Sequence, residues 1–176
     1  MKTIFKTQRL HIRRLEKEDG SLFYEMMSDP EVMNPVPAKI LSQSESEQKL
    51  NELMTADIDH DTRIWCITEK GKKKLIGICG FLKNDEGNEE IAYRFLSKYW
   101  AKGFGTEIAQ GLIKYGFTVI KAEKITADVN IENMKSEKIL KKFMRPVKEF
   151  YNKKDACTDR RYELLRSNWK LVKNSI

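Results

Sequence analysis

The chain has 176 residues, of which 33 are Lys or Arg and 26 are Asp or Glu, giving a formal net charge of +7. This length predicts one domain over residues 1–176, with a core that needs neither disulfides nor a metal. No apolar run approaches the roughly 20 residues of a membrane span, and the N-terminus lacks a signal-peptide core, so we expect a cytoplasmic protein. The three cysteines, Cys66, Cys79 and Cys157, are far apart, which argues against a zinc site or a disulfide framework.

The excess of positive charge predicts an anionic partner: nucleic acid, a lipid surface or a polyanionic small molecule. Part of the excess is local, because seven basic residues lie close together beside few acids: Lys138, Lys141, Lys142, Arg145, Lys148, Lys153 and Lys154. No basic stretch is interleaved with regularly spaced aromatic residues, the pattern typical of an RNA-stacking platform, which argues against nucleic acid. The cluster also fits a solvated lysine-rich face, so charge alone does not name the partner.

The first third of the chain predicts a strand and two helices. Residues 9–15 alternate between apolar and polar side chains as a strand does. Residues 17–29 place apolar side chains at helical spacing, and Asp29-Pro30 closes this helix. The prolines of segment 34–39 exclude regular helix there. A second helix with serines suited to capping follows at residues 42–54.

The rest of the chain predicts three strands, a buried helix and then a strand, a helix and two strands. The three strand-like runs, at 62–69, 74–82 and 89–96, are joined by turns typical of hairpins. The segment from about Thr106 to Ile120 is apolar on most sides, which predicts a helix buried against a sheet. This order predicts an α+β fold with a mixed sheet of about seven strands, antiparallel first and locally parallel around one β-α-β crossover.

The sequence AKGFGT, residues 101–106, places Gly103 and Gly105 at the start of the long helix. A helix N-terminus leaves backbone N–H groups unpaired and carries a partial positive charge, so it suits a phosphate. Because glycine has no Cβ, an anion can approach the backbone closely, and Lys102 adds a cation. The alternative is that the glycines only shape a tight turn. The spacing matches no Walker sequence, and a dinucleotide fingerprint would need a third glycine at Ile108.

Residues 89–113 resemble the acetyl-CoA loop of the GNAT N-acetyltransferase superfamily, and more narrowly the branch with the ribosomal-protein-alanine N-acetyltransferases. Three further motifs of that branch occur in order: Thr-x-Arg-Leu-x-x-Arg at Thr7–Arg13, an Asp-Pro-Glu-Val-Met loop at Asp29–Met33, and Asn-x-x-Ser at Asn133–Ser136. The resemblance runs from Thr7 to about Trp169. It implies a three-layer GNAT-like fold with helices on both faces of the sheet.

The resemblance implies acetyl transfer from acetyl-CoA to a primary amine by direct attack in a ternary complex, without a metal. The resemblance also implies that the backbone of Tyr93, Arg94 and Phe95 pairs with the pantetheine arm. Against the pyrophosphate it places the backbone of Ala101, Lys102, Gly103, Phe104, Gly105 and Thr106.

Two polar side chains are implied to act further along the cofactor. Asn133 matches a residue that hydrogen-bonds the pantetheine arm, and Ser136 lies one helical turn later, where its hydroxyl can donate to the departing sulfur. The alternatives are a helix cap at Asn133 and a solvent-facing serine at Ser136. The tyrosine that often serves as general acid elsewhere in the superfamily is Leu140 here, which shifts that role to Ser136 or leaves it unfilled.

An amine at neutral pH is mostly protonated, so a base must remove a proton before attack. Glu89 and Glu90 follow each other on one predicted strand and therefore face opposite sides. Glu90 matches the branch and Glu89 matches the catalytic glutamate of histone-acetylating relatives. Either can act through water, and the alternative is two exposed carboxylates at the end of a strand.

The acceptor site is expected to include the loop 33–40, the hairpin between the last two strands, and Trp65. Protein N-termini, aminoglycosides, polyamines and other small amines all fit, as do a monomer or a homodimer. Two rival hypotheses remain at this point. One is a degenerate member of the fold that binds CoA or RNA without turnover, and the other is a plain nucleic-acid-binding domain with strongly salt-dependent affinity.

Overall fold

The computed structural model describes residues 3–33, 39–56 and 63–173, without the side chains of 170–173. The core of the predicted proline loop, residues 34–38, therefore lies outside the described chain. Eight strands form one mixed sheet in the order β1-β2-β3-β4-β5-β6-β8-β7. Their bounds are β1 Thr3–Lys6, β2 Leu10–Arg13, β3 Arg63–Glu69, β4 Leu75–Lys83, β5 Glu89–Phe95, β6 Lys124–Asn130, β7 Arg145–Asn152 and β8 Cys157–Leu165.

The sheet is antiparallel except at one pair. Strands β1 to β5 pair antiparallel in sequence order, and β6, β8 and β7 form a second antiparallel group. The only parallel pair in this part of the chain is β5 with β6, which the crossover through a helix requires. The predicted mixed α+β fold is confirmed. The strand that the sequence analysis missed is β1, a four-residue edge strand on β2.

The helices are α1 Gly20–Ser28, α2 Pro30–Met33, α3 Gln43–Ala56, α4 Phe104–Tyr115, α5 Met134–Leu140 and α6 Arg166–Lys173. The expectation of a loop at Asp29–Met33 was wrong. Proline is favoured in the first turn of a helix, and the Asp29 carboxylate accepts the N–H of Glu31, so the segment begins a helical turn at Pro30. Helix α6 was not predicted. None of the helices in the described ranges is long and apolar enough to cross a membrane.

Helices cover both faces of the sheet, which confirms the three layers. Helix α4 packs on one face through Ile108 and Leu112, both fully buried. Helices α1 and α3 pack on the other face through Phe23, Met26 and Leu50. Each apolar stripe therefore meets the sheet from its own side, as helical periodicity requires.

The expectation that Trp65 lines the acceptor site was wrong. Its side chain is only 2% exposed and belongs to the core on the α4 face. It makes edge-to-face contacts with Phe81 and Tyr115, at centroid distances of 6.1 and 5.3 Å. Because aromatic side chains bury a large apolar area, a tryptophan in the middle of a strand favours the core.

A buried ion pair joins β2 to the start of α1. Arg13, the last residue of the Thr7–Arg13 motif, donates from both terminal nitrogens to the Asp19 carboxylate at 2.6 and 2.7 Å. Both side chains are almost fully buried. Hydrogen bonding to Asp19 raises the pKa of Arg13 despite its burial. Since Asp19 also accepts the N–H of Glu16, one carboxylate fixes the turn that leads into α1.

We expect Asp19→Ala to lower the free energy of unfolding by about 3 kcal/mol or more, because it leaves the Arg13 charge buried without its partner. Urea unfolding followed by circular dichroism measures the change. Glu25→Ala is the control: it removes an exposed ion pair with Lys98 and should change stability little. Equal effects of the two substitutions would contradict a structural role for the buried pair.

Candidate active site

Strands β5 and β6 pair at their start and then separate. Their register contains only two pairs, Glu89 with Ile125 and Glu90 with Thr126. Beyond these pairs β4 still holds β5 up to Phe95, while β8 holds β6 up to Asn130. A cleft therefore opens between two strands that their outer neighbours keep extended. Backbone N–H and C=O groups that face this cleft need a partner from outside the sheet.

The cleft leads toward the N-terminus of α4. The residue before this helix is Gly103, in the left-handed conformation at φ 79°, and no side chain caps the helix. Ala101 is also left-handed, at φ 57°. The first N–H groups of a helix have no partner within the helix, so the backbone of Phe104, Gly105 and Thr106 presents donors at a positive helix end. Such a concave run of N–H groups suits an anion.

Glycine is required at the two positions of the loop for different structural reasons. Gly103 adopts a positive φ, which is energetically unfavourable for residues with a Cβ. Gly105 is helical, and a Cβ there would lie 2.8 Å from Cδ1 of Ile139 on α5. The tight-turn explanation therefore holds for Gly103, while Gly105 allows α5 to pack closely against the first turn of α4. Neither reason conflicts with close approach of an anion to this backbone.

The start of α4 is tied to the turn between β1 and β2. Arg9 donates from its backbone N–H and its Nε to the Glu107 carboxylate, both at 2.7 Å, and from Nη1 to the carbonyl of Lys102 at 2.9 Å. Thr7 donates to the same carboxylate at 2.5 Å. Burial of Glu107 opposes its ionisation, but these bonds outweigh that effect and lower its pKa. The Thr7–Arg13 motif thus positions the left-handed loop, a role that the sequence analysis did not assign.

Glu89 and Glu90 lie in opposite environments, as the strand period predicted. The Glu89 carboxylate is buried and accepts hydrogen bonds from Arg63 and from Lys83. Glu90 is partly buried on the other face, where burial, together with the nearby charge of Asp128, raises its pKa to about 7. A carboxylate that is half-protonated near neutral pH can take a proton from an amine. The two neighbouring carboxylates thus differ in their partners: Glu89 is paired with two cations, and Glu90 has a raised pKa beside another acid.

Side chains at the start of α5 form the other polar part of the site. Asn133 caps this helix, because its Oδ1 accepts the N–H of Ser136 at 3.1 Å. The buried hydroxyl of Tyr93 lies beside Ser136, and in the described ranges no partner meets ideal hydrogen-bond geometry with it. Burial raises the pKa of Tyr93. Leu140, at the position of the tyrosine that is absent here, is buried in the core. Sequence reasoning assigned only the backbone of Tyr93, because alternation along a strand does not reveal what lies opposite a side chain.

The basic residues between Lys138 and Lys154 differ in their contacts and do not form a single surface patch. Lys141 pairs with Glu137, and Lys148 pairs with Glu86. By contrast, Lys142 reaches the hydroxyl of Thr106 at 3.3 Å, in the first turn of α4. Positive charge from the cluster therefore also reaches the helix N-terminus.

The geometry of this site can be compared with known proteins. The profile described as the acetyltransferase (GNAT) domain matches residues 9–143 of the chain. This match covers most of the sequence and includes the cleft, the left-handed loop and the start of α5. The chain belongs to the GNAT family of acetyltransferases.

Other acetyltransferases are similar to this chain in sequence and in structure. An uncharacterized N-acetyltransferase, p20 of Bacillus licheniformis, is 36% identical over 80% of both chains. The crystal structure of a GNAT acetyltransferase from Bacillus anthracis is 28% identical, with a TM-score of 0.82, over 94% of this chain and 99% of that one. A spermidine N-acetyltransferase from Vibrio cholerae, in complex with CoA and spermine, is 21% identical, with a TM-score of 0.76, over 92% and 98%. The narrower branch within the family stays a prediction.

Glu90→Gln should stabilise the protein relative to wild type as pH rises from 5 to 8. The fold raises the pKa of Glu90 from 4.5 to about 7, so its contribution to stability is present below pH 4.5 and is lost as the pH rises through 7. Glutamine stays neutral and avoids this loss. Urea unfolding of both proteins at the two pH values measures the difference.

The neighbouring substitution Glu89→Gln is the matched control. It weakens the bonds from Arg63 and Lys83, so we expect it to destabilise the protein at both pH values. A difference between Glu90→Gln and wild type that is the same at pH 5 and pH 8 would contradict the raised pKa of Glu90.

Proposed function

We propose that this protein transfers an acetyl group from acetyl-CoA to a primary amine of a small molecule or a protein N-terminus. The observation that carries the proposal is the cleft between β5 and β6, which leads to the uncapped N-terminus of α4. An extended arm with amide groups fits the unpaired strand edge, and a pyrophosphate fits the helix end. CoA contains both parts in this order.

In the proposed complex the backbone of Tyr93, Arg94 and Phe95 pairs with the pantetheine arm. Asn133 uses its Oδ1 for the helix cap, so its amide nitrogen can donate to the same arm. The N–H groups from Gly103 to Thr106 bind the pyrophosphate. The whole backbone segment that is proposed to lie against the pyrophosphate is longer and comprises Ala101, Lys102, Gly103, Phe104, Gly105 and Thr106. Lys102 and Lys142 add positive charge beside them.

Glu90 is the proposed base. It takes a proton from the acceptor ammonium through water, and the free amine nitrogen then attacks the carbonyl carbon of the thioester. The C–N bond forms as the C–S bond breaks, the sulfur leaves with the electron pair, and the second proton lost by the nitrogen passes through water to the thiolate. Ser136, beside the hydroxyl of Tyr93, donates a hydrogen bond to that sulfur. The salt-bridged environment of Glu89 supports a structural role for that residue.

The acceptor belongs to the same proposal. Among the relatives, spermidine N-acetyltransferase binds spermine, but at 21% identity that likeness supports the fold and leaves the acceptor open. The charged groups near Glu90 on this face are Asp128 of β6 and Asp159 and Arg161 of β8. These groups are acids and an arginine. Because they carry charges of both signs, the net charge of the chain does not predict the charge of the acceptor.

Gly103→Ala should weaken acetyl-CoA binding at least tenfold in a calorimetric titration. Alanine resists the left-handed conformation at this position, and its Cβ would lie 3.2 Å from the Arg9 guanidinium. Gly87→Ala is the matched control: Gly87 has a similar φ of 72°, open space around it, and a place in the turn between β4 and β5. It should cost similar stability and leave the affinity unchanged.

Two outcomes would overturn parts of this account. If wild-type protein does not bind acetyl-CoA, the proposed activity is wrong. If it binds acetyl-CoA but releases no CoA with any primary amine across a broad panel, the protein is a binding module on the same fold.

A further inference from the structure

Arg94 projects from β5 toward the face of the sheet that carries α1 and α2. Its Nη1 lies 3.4 Å from the sulfur of Met27 and 3.1 Å from the sulfur of Met33. Both methionines are buried. The guanidinium is therefore held against an apolar wall at the edge of the cleft.

This guanidinium has no anionic partner in the parts of the chain that the structure describes. Thioether sulfurs are weak acceptors. Burial lowers the pKa of Arg94, and the charge of Asp155 in the turn between β7 and β8 opposes that effect without forming an ion pair. A partly buried charge without a paired anion costs free energy.

The arginines that are fully buried in the described chain differ from Arg94 in their partners. Arg13 is paired with Asp19, and Arg161 is paired with Asp128 and Asp85. Each of these side chains is neutralised by carboxylates of the chain itself. Arg94 is thus set apart as a half-buried cation whose counter-ion is not supplied by the described protein.

The phosphates of CoA are not suited to fill this role. Successive side chains on a strand point to opposite faces, and Phe95 stacks on Phe104 of α4 at a centroid distance of 6.2 Å. Arg94 therefore points away from the N-terminus of α4, where the pyrophosphate is proposed to bind. It shares its face with Glu90, whose Cα lies about 13 Å further back along the strand.

We infer that the acceptor carries a carboxylate, several bonds from its amine, which pairs with the Arg94 guanidinium while the amine lies on the Glu90 side. A planar guanidinium fits a carboxylate through two parallel hydrogen bonds. The same charge repels a second ammonium group, so a polyamine is a poorer fit. This inference rests on the proposed acetyl transfer and narrows its acceptor to amino-acid-like compounds.

The test compares linear ω-amino acids, from glycine to 6-aminohexanoate, with the n-alkylamines of equal carbon number. Acetylation is followed by the release of CoA. We expect the amino acid to exceed its alkylamine at least tenfold in kcat/KM at the best chain length, mainly through KM, because a charge-assisted pair forms only with the carboxylate. The preference should peak at one length, since the position of Arg94 is fixed.

Two variants assign the preference to Arg94. Arg94→Met removes the charge and keeps an apolar chain, so the ratio should fall to about one, while Arg94→Lys should retain part of it. Arg145→Met removes an exposed arginine of β7 and should leave the ratio unchanged. Because the proposed contact of Arg94 with the pantetheine arm is made by its backbone and only its side chain changes, the affinity for acetyl-CoA should fall far less than the ratio does, and Arg145→Met should leave it unchanged. This comparison separates an acceptor effect from a cofactor effect.

A turnover-independent arm uses calorimetry of 6-aminohexanoate with the CoA-saturated protein. Binding that is lost in Arg94→Met would support the carboxylate site even if no amine were acetylated, in which case only the proposed activity would fall. Equal kcat/KM for amino acids and alkylamines in the wild type would overturn the inference and leave acetyl transfer intact. Absence of both acetylation and Arg94-dependent binding would overturn both.

Discussion

Strand β5 has a strand partner along its whole length on one side and for only two residues on the other. β5 is hydrogen-bonded to β4 and β6 is hydrogen-bonded to β8, so both strands stay extended on either side of the resulting cleft. Backbone groups along the open edge cannot be satisfied within the sheet. The remaining features of the site, namely the start of α4, the cap of α5 and the face that carries Glu90, are arranged around this opening.

Distant parts of the chain keep the far end of the cleft in place. Thr7 and Arg9, from the turn between β1 and β2, bind the first turn of α4 through Glu107 and hold the loop carbonyl of Lys102. Such a clamp lets the left-handed loop present its N–H groups without a capping side chain. Because Arg9 bonds to the Glu107 carboxylate and to a loop carbonyl, the clamp leaves the N–H groups of the loop available for an anion.

The spacing of apolar and polar residues along the chain correctly predicted those features of the fold that depend on neighbouring residues. Apolar periodicity correctly identified α4 as a helix buried on a sheet, and alternation correctly placed Glu89 and Glu90 on opposite faces. It did not identify β1, which is too short for its pattern to be recognised, and it misjudged Trp65, whose burial depends on distant partners. The clamp by Arg9 and the place of the Tyr93 hydroxyl arise from contacts between residues far apart in sequence. A single sequence carries no signal for such contacts except a motif whose physical role is not visible until the fold is known.

We propose that the open edge of β5 and the N-terminus of α4 together bind acetyl-CoA. Backbone amide NMR during titration with acetyl-CoA tests it most directly, since the method reports on the N–H groups themselves. We expect the largest shifts at Tyr93–Phe95 and at Gly103–Thr106, with little change along β1 and α3. Saturable shifts confined to another surface, with these two segments unchanged, would contradict it.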